Sequence, residues 1–263
     1  MDRLEKALDK ARKLREVKLP FTSGPHNMAP GAAAQSALHS LSANSVITDE
    51  AQLERRRILA HRTRSAEADI FRILRTQVLQ VMSKSGFRAL AITSPNYGDG
   101  KTTVSLNLAV SIALDLKQTV LLVDLDLRKP NLHEFLGLEP GAGLSDYLLH
   151  DKPLSSCIQR LSFDRLSILP AGKPLENSSE VLGSPKMAAL AHDLKTRYPD
   201  RIVIYDMPPV LSQDDSIAFL PHVDAVLMVI RDAVTLTAEV KRCLDALSDS
   251  NVIGTVLNNS RHG

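Results

Sequence analysis

One lysine, two threonines and a set of aspartates carry most of the chemistry this chain could perform. In Ala91-Ile-Thr-Ser-Pro-Asn-Tyr-Gly-Asp-Gly-Lys-Thr-Thr103, Gly98 and Gly100 allow backbone N–H groups to turn inward on an anion. Lys101 can then reach terminal phosphates, and the Thr102 hydroxyl is placed to ligate Mg²⁺. Gly-x-x-x-x-Gly-Lys-Ser/Thr would require glycine at position 95, where Pro95 stands. Gly-Lys-Thr alone equally suits a surface turn with a solvated lysine, so the context must decide. Thr119-Val-Leu-Leu-Val-Asp-Leu-Asp-Leu-Arg-Lys-Pro130 is an apolar run ending in Asp124, Asp126 and Arg128, and Arg201-Ile-Val-Ile-Tyr-Asp-Met-Pro-Pro209 is another ending in Asp206. Runs of this kind suit strands buried on both faces, whose carboxyl ends open on the ligand crevice of a parallel sheet. Carboxylates are the hard oxygen ligands that Mg²⁺ prefers. One such aspartate could merely cap a helix, but three at two strand ends beside a phosphate loop point to a magnesium–triphosphate site.

These groups need a scaffold that brings them together. The apolar residues 89–92 supply a strand before the loop, and a helix starting near Thr102 aims its positive end at the phosphates. Val104, Leu106, Leu108, Ala109 and Ile112 recur at helical spacing and predict the buried face of that helix. Further strands are expected at 166–169, 202–205, 225–230 and 252–257, with helices at 185–197 and 236–247. The alternation implies an α/β fold of the P-loop NTPase kind, a mostly parallel sheet with helices on both faces, plus an N-terminal helical extension.

That extension divides by composition. Residues 1–18 read as an amphipathic helix, with Leu4, Leu8, Ala11 and Leu14 on one face, and 19–47 as a flexible linker rich in proline, glycine, alanine and serine. A domain over 48–263 begins with a basic helical segment, 48–82, with a break near Ser65, and continues as the α/β core, 83–263. In the segment, Asp69, Arg72 and Arg75 fall three apart on one face, with Ile70, Ile73, Leu74 and Val78 on the apolar side.

Hydrophobic content of 44% is ordinary for a globular chain, and a net charge of +2 gives no reason to expect nucleic acid. Cys157 and Cys243 lack metal-ligand spacing and are expected as buried free thiols in a reducing compartment. With no apolar run of membrane-spanning length and a charged N-terminus, the chain is expected to be cytoplasmic.

Several segments occur in one order: Phe71-Arg-Ile-Leu-Arg-Thr76, Ser94 to Thr103, Val123-Asp-Leu-Asp-Leu-Arg128 with Pro130 and His133, Gly143-Leu-Ser-Asp146, Leu169-Pro-Ala-Gly172 and Asp206-Met-Pro-Pro209. Over roughly Asp69 to Asn258 the chain thereby resembles the cytoplasmic kinase module of bacterial tyrosine kinases, the BY-kinase family of capsular and exopolysaccharide assembly. Its N-terminal Arg3-Leu-Glu-Lys-Ala-Leu8 resembles the subgroup beside exosortase-type operons. The resemblance implies ATP and Mg²⁺ as cofactors. It implies that Gly98, Asp99, Gly100, Lys101, Thr102 and Thr103 form the nucleotide loop, with Arg128 and Asn258 also at the nucleotide. Thr102, Asp126 and Asp206 would organise the metal, and Asp124 and Asp126 would share metal positioning and activation of a tyrosine hydroxyl, with the base left open between them. Asp69, Arg72 and Arg75 would contact a neighbouring subunit of a homo-oligomer. The implied activator is the cytoplasmic tail of a membrane polysaccharide co-polymerase, which would recruit the chain to the inner face of the membrane.

The chain also departs from the family pattern. Asp69 replaces the usual glutamate, Tyr97 a usual proline, and the end, Asn258-Asn-Ser-Arg-His-Gly263, lacks the tyrosine cluster that family members phosphorylate. Protein tyrosine substrates in trans, or another of the four tyrosines, are therefore expected as acceptors. Two other readings remain: an ATPase switch of the partitioning type, against which Asn96 stands where those proteins carry a lysine, and an ATP-binding regulator of polysaccharide assembly.

Overall fold

A computed structural model describes residues 45–46, 49–115, 117–212 and 214–260. The helix expected over 1–18 and most of the 19–47 linker lie outside the described residues.

Four apolar runs form the middle of the sheet because their backbones can be satisfied there without exposing a side chain on either face. They are β2 (Ala89–Thr93), β3 (Thr119–Asp124), β6 (Arg201–Asp206) and β7 (Ala225–Arg231). With β1 (Ser45–Val46), β4 (Gln159–Leu161), β5 (Leu166–Leu169) and β8 (Val252–Asn258) they make an eight-stranded sheet in the order β1-β4-β5-β3-β6-β2-β7-β8. Every adjacent pair is parallel except β4 with β5. β4 is too short to show a period, and Ser45–Val46, assigned to the linker by composition, pairs beside it as an edge strand.

Alternate residues of each strand feed two separate cores. Ala89, Ala91, Leu121, Val123, Val203 and Tyr205 pack on one face of the sheet; Leu90, Ile92, Val120, Leu122, Ile202 and Ile204 pack on the other. Helices α1 (Glu50–Arg55), α2 (Ala66–Ser85) and α3 (Lys101–Ala113) serve the second core. The break expected near Ser65 is the start of α2, where Ser65 Oγ accepts from Ala68 N at 3.1 Å. On the first face lie α5 (Leu144–His150), α7 (Ser178–Leu182), α8 (Pro185–Thr196) and α9 (Asp215–Phe219), with α10 (Thr237–Ala246) contributing Cys243. The short helices α4 (Leu132–Leu136) and α6 (Leu154–Cys157) lie in the connections after β3.

Two expectations need correction. The α3 helix is not half-buried: Ser105, Asn107 and Ser111 are buried along with its apolar positions. It is wrapped by α2 and by the α1–α2 turn, and Asn107 satisfies that turn. Its Oδ1 accepts from Leu59 N (2.7 Å) and Ala60 N (2.9 Å), while its Nδ2 donates to Arg57 O (2.9 Å) and Thr103 O (2.8 Å). On α2, Val78 is buried and Leu74 packs against the core, but Ile70 and Ile73 point outward at 59% and 60% exposure. Both cysteines are buried free thiols. Among the described residues no helix is long and apolar enough to cross a membrane.

Candidate functional site

The strand order decides which side chains meet. β6 lies between β3 and β2, so Asp206 pairs in register with Asp124 on one side and Ile92 on the other. The loop after β2 and the segment after β3 therefore close over the same strand end, as expected for ligand sites in parallel sheets.

Three bonds shape the phosphate loop from within. The Asp99 carboxylate accepts from Asn96 N and from Thr235 Oγ1, both at 2.9 Å, and the Asp99 carbonyl accepts from Asn258 Nδ2 at 2.9 Å. Asp99 and Asn258 thus brace the loop, which is what the structure adds to their expected place at the nucleotide. Gly100, with φ +96°, begins α3; a Cβ there would collide with Asn258 Nδ2, so glycine is required by both conformation and space. Thr103 sits three residues further, giving its carbonyl to Asn107.

Below the loop, Lys101 Nζ lies 3.1 Å from Asp126 Oδ2. Thr102 Oγ1 donates to Asp206 Oδ2 at 2.7 Å, and Ser105 Oγ to Asp206 Oδ1 at 2.9 Å. Asp124 accepts from Asp126 N (3.0 Å) and Leu132 N (3.3 Å), while Asp126 Oδ1 accepts from Lys129 N (3.2 Å). Lys101, Asp124, Asp126 and Asp206 are all buried. Three carboxylates facing one ammonium leave this region short of positive charge. Burial, then Asp206, pushes the Asp124 carboxyl up to about 8, with Lys101 opposing, and burial also raises Asp206. Burial alone would lower Lys101, but Asp206, Asp126 and Asp124 outweigh it and hold it above its ordinary value.

This donor set fits Mg²⁺ bound together with phosphates. Among the described residues no group of three acidic, imidazole or thiol side chains forms a self-sufficient cage. The Thr102 hydroxyl and Asp206, with Asp126 opposite, are the one-or-two-carboxylate arrangement that leaves the other positions to phosphate and water.

Arg128 lies on the wall of the crevice, its Nε 2.8 Å from Ser178 Oγ and 3.4 Å from Asp215 Oδ2. Arg72 pairs with Asp69 and donates to the carbonyls of Arg62 and Thr63, and Arg75 donates to Ser111 O at 3.0 Å. Both arginines therefore fasten α2 to its own chain, while the Asp69 side chain is exposed.

Sequence reasoning passed over Ser105, Thr235 and the active part of Tyr97. Ser105 was findable, lying one helical turn from Lys101 on the same face. Thr235 comes from a loop 136 residues from Asp99 and carries no local signal. The Tyr97 ring stands 5.9 Å from Lys101 Nζ and 4.8 Å from Lys129 Nζ, so it bridges the loop lysine and the segment after β3.

The chain is similar to several known proteins. Residues 87–245 match the AAA domain family. The tyrosine-protein kinase YwqD of Bacillus subtilis is 30% identical over 80% of this chain and 88% of its own length. The tyrosine-protein kinase Wzc of Salmonella typhi is 34% identical over 72% of this chain, which spans only 26% of Wzc. The kinase domain of the Escherichia coli tyrosine kinase ETK superposes with a TM-score of 0.71 at 27% identity, covering 88% of this chain and 95% of that domain. More distant is the septum site-determining protein MinD of Pyrococcus horikoshii, solved with Mg-ADP: TM-score 0.55, 27% identity, 67% of this chain and 72% of that one.

Proposed function

The chain belongs to the bacterial tyrosine-protein kinase family, and from that premise we propose that it transfers the terminal phosphoryl group of Mg-ATP to protein tyrosines in the control of exopolysaccharide or capsule assembly. The observation that carries this reading is the convergence of Lys101, Thr102, Asp124, Asp126 and Asp206 at one strand end. The loop amides and Lys101 hold the β- and γ-phosphates, and Thr102 and Asp206, with Asp126, hold Mg²⁺. The cation supplies charge neutralisation of the triphosphate. Phosphoryl transfer needs chiefly positioning and charge stabilisation, which these groups provide without a covalent intermediate. The tyrosine oxygen forms the new P–O bond as the bond from that phosphorus to ADP breaks, and its proton passes to Asp126 or, once it is ionised, to Asp124.

The acceptor is a tyrosine of a protein in trans or another of this chain's own tyrosines, Tyr97 being exposed. Tyr205 is fully buried against Phe219, with burial driving its hydroxyl far above the ordinary range. Exposure of Ile70, Ile73 and Asp69 on α2 supports a homo-oligomer using that face. The activating partner is the cytoplasmic tail of a membrane co-polymerase, a role supported by the family resemblance, and failure of this chain to be pulled down by such a tail in the presence of ATP would refute it.

Incubation with labelled ATP tests the activity directly. Labelled tyrosine, in the protein or in a tyrosine polymer, is expected for the native chain and should fall by about 100-fold or more in Lys101→Ala. Phosphate release without labelled tyrosine would instead indicate the partitioning-type switch, which the MinD likeness keeps as the second reading. Neither product would indicate a regulator that only binds ATP.

A further inference from the structure

Beside the catalytic crevice lies a cavity of about 540 Å³ between the segment after β3, the 140–142 bend and the 172–174 loop. Arg128, Lys129, Lys152 and Lys173 line it, against Glu134 and Asp146. Two of the cations are already neutralised: Lys152 Nζ is 2.8 Å from Asp146, and Arg128 is held by Asp214 and Asp215. Lys129 and Lys173 are exposed and have no carboxylate in ion-pair range among the described residues. Glu134, also on the lining, pairs with Arg56 at 3.8 Å. The groove therefore offers two lysines for an anionic occupant.

Its floor is preformed. Leu144 N donates to Pro170 O at 2.8 Å and Ser145 N to Ala171 O at 2.9 Å, which locks α5 against the end of β5. Gly143 and Gly172 pack backbone to backbone there, leaving no room for a side chain at either position. The groove neighbours the reaction site, because Lys129, which lines it, and Lys101 face the same Tyr97 ring. An extended polypeptide advances about 3.3 Å per residue, so a segment running from a tyrosine at Lys101 past the Tyr97 ring brings its next few residues to Lys129 and the cavity that Lys129 shares with Lys173.

We propose that this groove binds acidic side chains flanking the acceptor tyrosine, so that the substrate class is a tyrosine in an extended acidic segment of another protein. The inference rests on the kinase reading for its acceptor but on charge and shape for its occupant. Electrostatic complementarity of this kind selects partners and speeds encounter, and it weakens with salt.

Binding and transfer separate the two claims. Fluorescence anisotropy of the full chain is measured with a labelled peptide carrying phenylalanine in place of tyrosine among glutamates, and with its glutamine counterpart. The glutamate peptide is expected to bind about 10-fold more tightly at low salt. Lys173→Glu should erase most of that preference, whereas Lys241→Glu, an equal change of charge on exposed α10, should preserve it. Equal affinity for the two peptides overturns the proposal, as does an equal loss in the two variants. With tyrosine restored, the preference should appear in KM with kcat little changed; a preference confined to kcat would also overturn it. If neither peptide is phosphorylated even with the co-polymerase tail present, the kinase reading fails, and the anisotropy result still decides the groove.

Discussion

Asp124 shows how burial converts a common side chain into a charge sensor. Its carboxyl sits level with Asp206 on the adjacent strand, and burial first, then that neighbour, raises it to about 8. The folded chain therefore retains a proton that the unfolded chain releases between about pH 4 and about pH 8. This contribution to stability is complete below about 4 and is lost as pH rises through about 8. Metal-free protein is expected to melt at a lower temperature at pH 8.5 than at pH 6, and Asp124→Asn should flatten that dependence in thermal scans across the range. An unchanged slope in the variant would show that Asp124 does not hold the proton. Gly100 makes a second residue-scale prediction. With φ at +96° and Asn258 against it, Gly100→Ala costs about 1–2 kcal/mol of local strain and displaces the Asn258 brace. Mg-ATP affinity measured by calorimetry should fall by about 10-fold or more, since 1.4 kcal/mol is tenfold in binding; native-like affinity would mean that the loop tolerates a β-carbon.

At the scale of elements, the phosphate loop depends on a helix that is buried all round. α3 can bury Ser105, Asn107 and Ser111 because each is paired, and three of the bonds of Asn107 tie the α1–α2 turn to it. Asn107→Ala strands a buried N–H at Ala60 and a part-buried one at Leu59, costing about 2–4 kcal/mol. For a chain of this size that corresponds to a fall in Tm of roughly 5–10 °C, to be read by calorimetry. The same variant should loosen residues 56–62 in hydrogen exchange before the sheet opens; uniform loosening would show that the turn and α3 are not a local unit.

On the scale of the whole molecule, α2 has two jobs on two faces. Val78 and Met82 seal the core, while Ile70 and Ile73 stand in solvent beside Asp69. Replacing both isoleucines by glutamate should leave Tm within about 1 °C, because exposed positions contribute little to folding. It should convert any oligomer seen by light scattering to monomer. An unchanged mass distribution would remove this face from the proposed assembly. The groove beside Lys173 opens on a different surface, so acidic-peptide binding should survive that double change.

The central strands were legible from composition alone, because a strand buried on both faces must be largely apolar, and outside them 166–169 is reproduced residue for residue as β5. The Gly-Lys-Thr loop and the strand-end aspartates were legible for a related reason: phosphate and magnesium chemistry needs particular groups at fixed short spacings. Sequence did not reveal that Ile70 and Ile73 face outward, since helical periodicity identifies an apolar stripe but not how wide a neighbour covers it. Nor could it show that Asp99 is held by Thr235 and Asn258, because those contacts cross more than 100 residues and depend on β7 lying beside β2 and β8 beside β7. The sequence by itself determined the chemistry available and the period of each element. Tertiary structure decided which charges share a low-dielectric space, and hence how the same aspartate titrates, because electrostatic strength depends on distance and burial that no local spacing encodes.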